Sequence, residues 1–224
     1  MTDVSMDPDA VNVGMDIEVV LLDVGGVIVP PADVGALAHV ARQLELSPAE
    51  VGALFYEWEP WYALSTGRID EAAYWRALSE RVGWDAEGLR WLASPVWEPA
   101  RVDEEVMALV RSLHGHTRLA ILSNATLRLE DTLRRLDVAR YVDPIVNSAR
   151  IGLRKPDPRI FAYTVDLLGV APGAILFVDD KRRNTVVAEA AGLPSVLFDH
   201  AATLAAALRT YNLIPPGTAD LTRP

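Results

Sequence analysis

Short apolar runs along this chain alternate with longer segments whose apolar residues recur every three or four positions. Ile17–Leu22 is short, branched and apolar without alternation, the pattern of a strand buried on both faces. From about Pro30 the period becomes helical, with Leu37, Val40 and Leu44 on one face. Ser47–Glu50, "SPAE", forms a capping box with proline at the first helical position, and it opens a helix toward Trp58. Asp70 caps another helix carrying Tyr74, Trp75 and Leu78, and a shorter one falls near Glu87–Leu92. No strand pattern occurs from there to about Pro99, so this stretch reads as a small all-helical unit.

Beyond Pro99 the two periods alternate. Val102, Val106, Leu109 and Leu113 line a helix that Gly115 stops. Strands are expected at Arg118–Leu122, Pro144–Asn147, Ala174–Val178 and Ser195–Phe198. Helices are expected at Leu127–Leu136, Asp157–Leu168 and Arg183–Ala191, the last ending at Gly192. Such alternation implies an α/β, Rossmann-like fold, a parallel sheet with helices on both faces. The expected organisation is a discontinuous core at 16–32 and 100–210, an inserted helical unit at 33–99, and tails at 1–15 and 211–224. The first tail reads as loose chain, and the segment after Tyr211 as extended surface chain.

Composition narrows the functional classes. The net charge of −10 disfavours nucleic acid and anionic lipid, which are held by clustered Lys and Arg. No apolar run approaches the roughly 18 residues of a membrane-spanning helix. The acidic start "MTDVSMDPDAVNVGMD" lacks the basic and apolar regions of a secretory signal, so a cytoplasmic location is expected. The absence of cysteine excludes disulfides and thiolate chemistry. Acidity also opposes a phosphorylated ligand, unless a cation or helix ends offset it locally.

In parallel sheets ligands bind beyond the carboxyl ends of the strands. Asp23 lies past one such end, Ser123 and Asn124 past a second, and Asp179 and Asp180 past a third. Carboxylates converging in a crevice raise each other's pKa, and a hard divalent cation such as Mg2+ relieves that repulsion. Ser123 and Asn124 offer hydroxyl, amide and backbone donors to an anion at a helix start. Lys155, placed before Pro156, can neutralise a phosphate as a point charge. Together these groups outline a phosphoryl site.

Four motifs occur in order at the expected strand ends: "LLDVGGVIV", "LAILSN", "KPDPRIF" and "FVDDKRRN". In these the chain resembles the haloacid dehalogenase-like superfamily, specifically phosphatase-type members with a helical cap. The resemblance implies that Asp23 attacks phosphorus and becomes an aspartyl phosphate. It implies a Mg2+ site made by Asp23, the Gly25 carbonyl and Asp180, with Asp179 beside or behind them. Ser123 and Asn124 would bind the phosphoryl group, Lys155 would stabilise it and orient Asp23, and Asn184 would orient the metal-site loop. The substrate would be a small phosphorylated metabolite, with sugar phosphates among the candidates.

One position departs from the pattern. Most such phosphatases carry Asp-x-Asp in the first motif, the second acid protonating the leaving group and later activating water; here Gly25 stands in that place. General acid–base catalysis contributes about 10²–10⁴ in rate. Without it the enzyme would favour good leaving groups, unless Asp33 or His39 stood in from the helical unit. The alternative is a weakly active or non-catalytic relative that binds a phospho-ligand or partner. A 2-haloacid dehalogenase is the third reading, and retention of Asp179 and Asp180 argues against it. The six tryptophans between Trp58 and Trp97 are either the core of the helical unit or an aromatic wall facing substrate. Arg68 stands near the entrance or in solvent, and His114 and His116 occupy a loop without clustered ligands.

Overall fold

In a computed structural model, residues 16–98 and 101–214 are described. Val19–Leu22 forms β1, with every residue buried. It lies at the centre of a five-stranded sheet of order β3-β2-β1-β4-β5, where β2 is Arg118–Ser123, β3 Ile145–Asn147, β4 Ile175–Asp179 and β5 Ser195–Leu197. All pairings are parallel. Leu22 pairs with Ile121 on one side and Val178 on the other. Asp23, Ser123 and Asp179 therefore emerge side by side at the carboxyl edge of the sheet.

The period of two along each strand divides the core. Val20, Leu22, Ile121, Leu176 and Val178 face helices α6 (Glu104–Leu113), α7 (Leu129–Arg135) and α11 (Ala201–Thr210). Val19, Leu21, Ala120, Leu122, Ile175 and Phe177 face α9 (Pro158–Leu168) and α10 (Arg182–Ala190). The expected parallel α/β sheet with helices on both faces is what the chain forms.

Between β1 and α6 lie α1 (Val34–Gln43), α2 (Pro48–Tyr56), α3 (Glu59–Leu64), α4 (Glu71–Val82) and α5 (Ala86–Trp97). They share a separate apolar cluster that includes Val40, Val51, Phe55, Trp61, Tyr74, Trp75 and Leu89. Ser47 and Glu50 make the expected reciprocal cap of α2, and Asp70 caps α4. The unit meets the carboxyl edge of the sheet through specific contacts. Ser148 Oγ donates to the Ser65 carbonyl at 2.6 Å, and Thr126 Oγ1 donates to Glu71 at 3.3 Å. Arg128 lies 3.5 Å from both Glu71 and Glu98.

Several elements differ from the sequence reading. Strand β1 begins at Val19 rather than Ile17. Helix α5 continues to Trp97 through Pro95, well beyond Leu92, because burial of Leu89, Leu92 and Ala93 favours the helix despite the proline. Helix α3 and α8 (Ser148–Ile151) are short turns without enough length to show a period. Helix α11 is so rich in alanine that its buried face, Ala201, Leu204, Ala205 and Leu208, has little polar contrast. The tail after Tyr211 is corrected in part: the Leu213 N–H donates to the Leu208 carbonyl at 2.8 Å and Ile214 is buried in the core. The expectations for residues 1–15 and 215–224 lie outside the described residues. Among the described residues no helix is long and apolar enough to cross a membrane.

Candidate active site

The turn after β1 sets Asp23. Its backbone N–H donates to the Val178 carbonyl at 2.9 Å, which continues the β1–β4 ladder by one residue. The chain then folds back, with the Val29 N–H donating to the Val24 carbonyl and the Gly26 N–H to the Val29 carbonyl, both at 2.8 Å. Gly26 has φ +84°, and a Cβ there would stand 2.4 Å from Asp180 Oδ2, so only glycine fits. Gly25 differs. Nothing lies within 4 Å of the place its Cβ would take, and it is not among the positive-φ glycines.

The Asp23 side chain is nearly enclosed, with 8% of the residue exposed. Its Oδ1 accepts from the Val24 N–H at 2.7 Å, and its Oδ2 lies 3.0 Å from Lys155 Nζ. Lys155 itself is 1% exposed. Its ammonium also donates to Asp179 Oδ2 at 2.6 Å and to the Leu122 carbonyl at 2.7 Å. An ammonium has three protons, and all three are directed at protein oxygens. Asn124 fixes the lysine backbone: its Nδ2 donates to the Lys155 carbonyl and its Oδ1 accepts from the Lys155 N–H, each at 2.8 Å.

Asp179 is fully buried and surrounded by donors. Besides Lys155 it accepts from the Lys181 N–H at 2.8 Å and from Asn184 Nδ2 at 2.9 and 3.0 Å. Asp180 is different. Its Oδ2 pairs with Lys181 Nζ at 2.8 Å, while its Oδ1 is buried without a partner. Oxygens of Asp23, Asp179 and Asp180 lie within 4.8 Å of one another. A buried, acceptor-only oxygen beside two further carboxylates suits a hard divalent cation, which takes oxygen ligands. Asp180 and Asp23 face that role with free capacity, whereas the Asp179 oxygens are already engaged.

Electrostatics follow from burial. Desolvation pushes the Asp23 carboxyl up to about 7, with the Asp179 charge adding to the rise and Lys155 opposing it. For Lys155 burial acts to lower the pKa, yet the Asp23 and Asp179 carboxylates outweigh it and raise the ammonium above its usual value.

The structure therefore brings together Asp23, Asn124, Lys155, Asp179, Asp180 and Asn184, with Ser123 as the buried last residue of β2. The Asn124 side chain is committed to Lys155 rather than open to a ligand. Asp33 caps α1 through Ala36, His39 is exposed, and Asp23 bonds instead to the Val24 N–H and Lys155. Arg68 pairs with Glu59 at 3.0 Å in solvent. His114 and His116 line an open concavity of about 700 Å3 at the opposite end of β2, where the His114 ring meets Tyr141 edge-on. Among the tryptophans, Trp97 stacks with both Tyr56 and Tyr74, Trp61 and Trp75 are buried, and Trp91 is 78% exposed. Their faces are spent largely on packing. Sequence reasoning passed over Arg154 and Tyr62, whose rings and charge meet at 4.2 Å across the seam between the Lys155 loop and α3.

A family model for haloacid dehalogenase-like hydrolases matches residues 17–192. The chain belongs to that family. A drimenol cyclase of Aspergillus calidoustus is 28% identical over 145 residues, 62% of this chain and 28% of that protein. The phosphoglycolate phosphatase of Escherichia coli strain K12 is 36% identical over 64 residues, 29% of this chain and 25% of that protein. The matched region thus spans little more than a quarter of these curated relatives. A HAD-family enzyme of Bacteroides thetaiotaomicron, crystallised with magnesium and inorganic phosphate, superposes with a TM-score of 0.65. It is 18% identical over 80% of this chain and 92% of its own, a likeness of fold.

Proposed function

We propose that this HAD-like hydrolase is a Mg2+-dependent phosphatase of a small phosphorylated metabolite, acting through an aspartyl phosphate on Asp23. The observation that carries the reading is the buried set of Asp23, Lys155 and Asp179 with the partnerless Asp180 Oδ1 beside it. The phosphatase among the relatives and the fold neighbour crystallised with magnesium and phosphate support it. Asp23, Asp180 and the Gly25 carbonyl would hold the metal, with Asp179 behind. When bound, Mg2+ supplies the positive charge that draws a phosphoryl group into an acidic protein.

Asp23 forms a bond to phosphorus while the bond to the leaving oxygen breaks, and that oxygen takes its proton from water. A second water then attacks phosphorus, its proton neutralising the hydroxide left by the first, the bond to Asp23 breaks, and phosphate leaves with the carboxylate restored. Lys155 holds Asp23 in line and balances charge; Ser123 and the backbone beyond it receive the phosphoryl oxygens. Asn184 and the Lys181 N–H hold Asp179, and Asp179 holds Lys155. Since Gly25 supplies no acid, phosphates with good leaving groups, such as anomeric esters or acyl phosphates, turn over fastest.

The deciding experiment is phosphate release from a panel of phosphate esters and sugar phosphates, run with Mg2+, with EDTA, and with Asp23→Asn. Metal-dependent release that disappears in the variant is expected. No release with Mg2+ still bound favours the second reading, a phospho-ligand-binding relative, for which Gly25 is the specific observation. The third reading, a dehalogenase, is disfavoured by the acidic trio, since attack on carbon needs no metal.

A further inference from the structure

Arg154 immediately precedes Lys155, and its guanidinium lies 4.2 Å from the ring centre of Tyr62 in α3. That places a cation in the seam where the Lys155 loop meets the helical unit, one residue from the lysine that pairs with Asp23. Its Nε is buried and has no acceptor. Buried donors are almost always satisfied, and a charged one without an acceptor is costly. Some other arginines meet carboxylates at 3.0 Å or closer, among them Arg111 with Glu104 and Arg159 with Asp157. Arg154 has no ion pair among the described residues, although the chain carries 31 acidic residues against 21 basic ones. Glu59, a carboxylate that acts on it electrostatically, is paired with Arg68. Burial pulls the Arg154 guanidinium below its usual pKa and Arg183 pulls the same way, against a hydrogen bond to the Tyr62 side chain and the Glu59 charge, but arginine remains charged. Lys155, with every proton engaged, has none to give to a second part of a substrate.

We propose that Arg154 is a specificity-determining residue that binds a second anionic group, carboxylate or phosphate, on the phosphorylated substrate. This rests on the reading of the Asp23–Lys155 crevice as a phosphoryl site. The planar guanidinium, held against Tyr62, presents a fork to such a group. Substrate specificity then resides in a core loop as well as in the helical unit.

The test is calorimetric titration of the Mg2+-loaded protein with four unreactive probes: inorganic phosphate, propylphosphonate, 3-phosphonopropionate and propane-1,3-bisphosphonate. Wild type is expected to bind at least one of the two doubly anionic probes roughly tenfold or more tightly than propylphosphonate. Whichever is preferred identifies carboxylate or phosphate as the group recognised. In Arg154→Gln that preference falls to parity while inorganic phosphate binds as before. In Arg154→Lys, which keeps charge but loses the fork, it falls several-fold, and this variant decides the matter should the glutamine variant not fold. Parity in wild type, or a preference unchanged in the folded variants, overturns the inference alone when phosphate still binds. Failure of wild type to bind phosphate or any phosphonate overturns the phosphoryl-site reading and this inference with it.

Discussion

At Gly25 the empty space about the missing Cβ separates two causes that glycine usually combines. Gly26 is required by its positive φ and by the Asp180 carboxylate against it; Gly25 is required by neither. An aspartate at Gly25 therefore enters open space. Gly25→Asp is expected to raise the rate on alkyl phosphates, whose leaving groups are poor, by about 10²-fold or more. Steady-state kinetics alongside a melting curve checks this. An unchanged rate in a folded variant would show that an acid at this position does not limit turnover.

The single-residue scale is also where the sequence spoke most clearly. Asp23, Ser123 and Asp179 could be placed at neighbouring strand ends because each follows a buried apolar run. The division of labour between Asp179 and Asp180 was implied by the family resemblance but could not be read from the residue pattern itself. It depends on Lys155 and Asn184 filling one carboxylate with donors and leaving an oxygen of the other bare. Nor did the sequence reveal that the Asn124 amide is occupied by a backbone 31 positions away. Such pairings arise from tertiary closeness and leave no periodic trace.

Among the elements, the helical unit is held by polar ties within an aromatic core. The Tyr74 hydroxyl on α4 donates to the Phe55 carbonyl on α2 at 2.8 Å, and burial raises the phenol pKa, so it stays a donor. Tyr74→Phe is expected to cost about 1–2 kcal/mol, read by urea unfolding, since the ring packing survives and one buried bond is lost. A loss within error would mean that water replaces the hydroxyl. The caps of α2 and α4 were readable because Ser47, Glu50 and Asp70 act on residues three positions away. Helix α11 was missed for the converse reason: alanine on both faces hides which side is buried.

For the molecule as a whole, stability and metal binding are linked. In metal-free protein the Asp23 carboxyl titrates near 7 in the folded state and near 4 when unfolded. The folded state thus holds a proton that the unfolded chain has released. Stability from this group is fully present below about pH 4 and is lost as pH rises through about 7. Denaturant unfolding with EDTA between pH 5 and 8 should show that decline on the background of the other groups, and Asp23→Asn should remove it. Mg2+ acts in the opposite sense. At a hundredfold excess over its dissociation constant it adds about 2.7 kcal/mol. The accompanying rise in Tm should vanish in Asp180→Asn; a rise that persists there would place the metal elsewhere.

The turn at Ser65–Gly67 sets the thickness of the joint above the crevice. The Ser65 carbonyl is bonded to Ser148, and the place of a Gly67 Cβ is 2.2 Å from the Ala149 carbonyl oxygen, so a single hydrogen atom fills that gap. A joint this thin has no comfortable partial opening. Lifted by less than the width of a water molecule, it strands a carbonyl that solvent cannot yet reach. Lifted further, water enters and satisfies it. The contact between the Ser65–Gly67 turn and the start of α8 is therefore expected to break as a whole rather than by degrees.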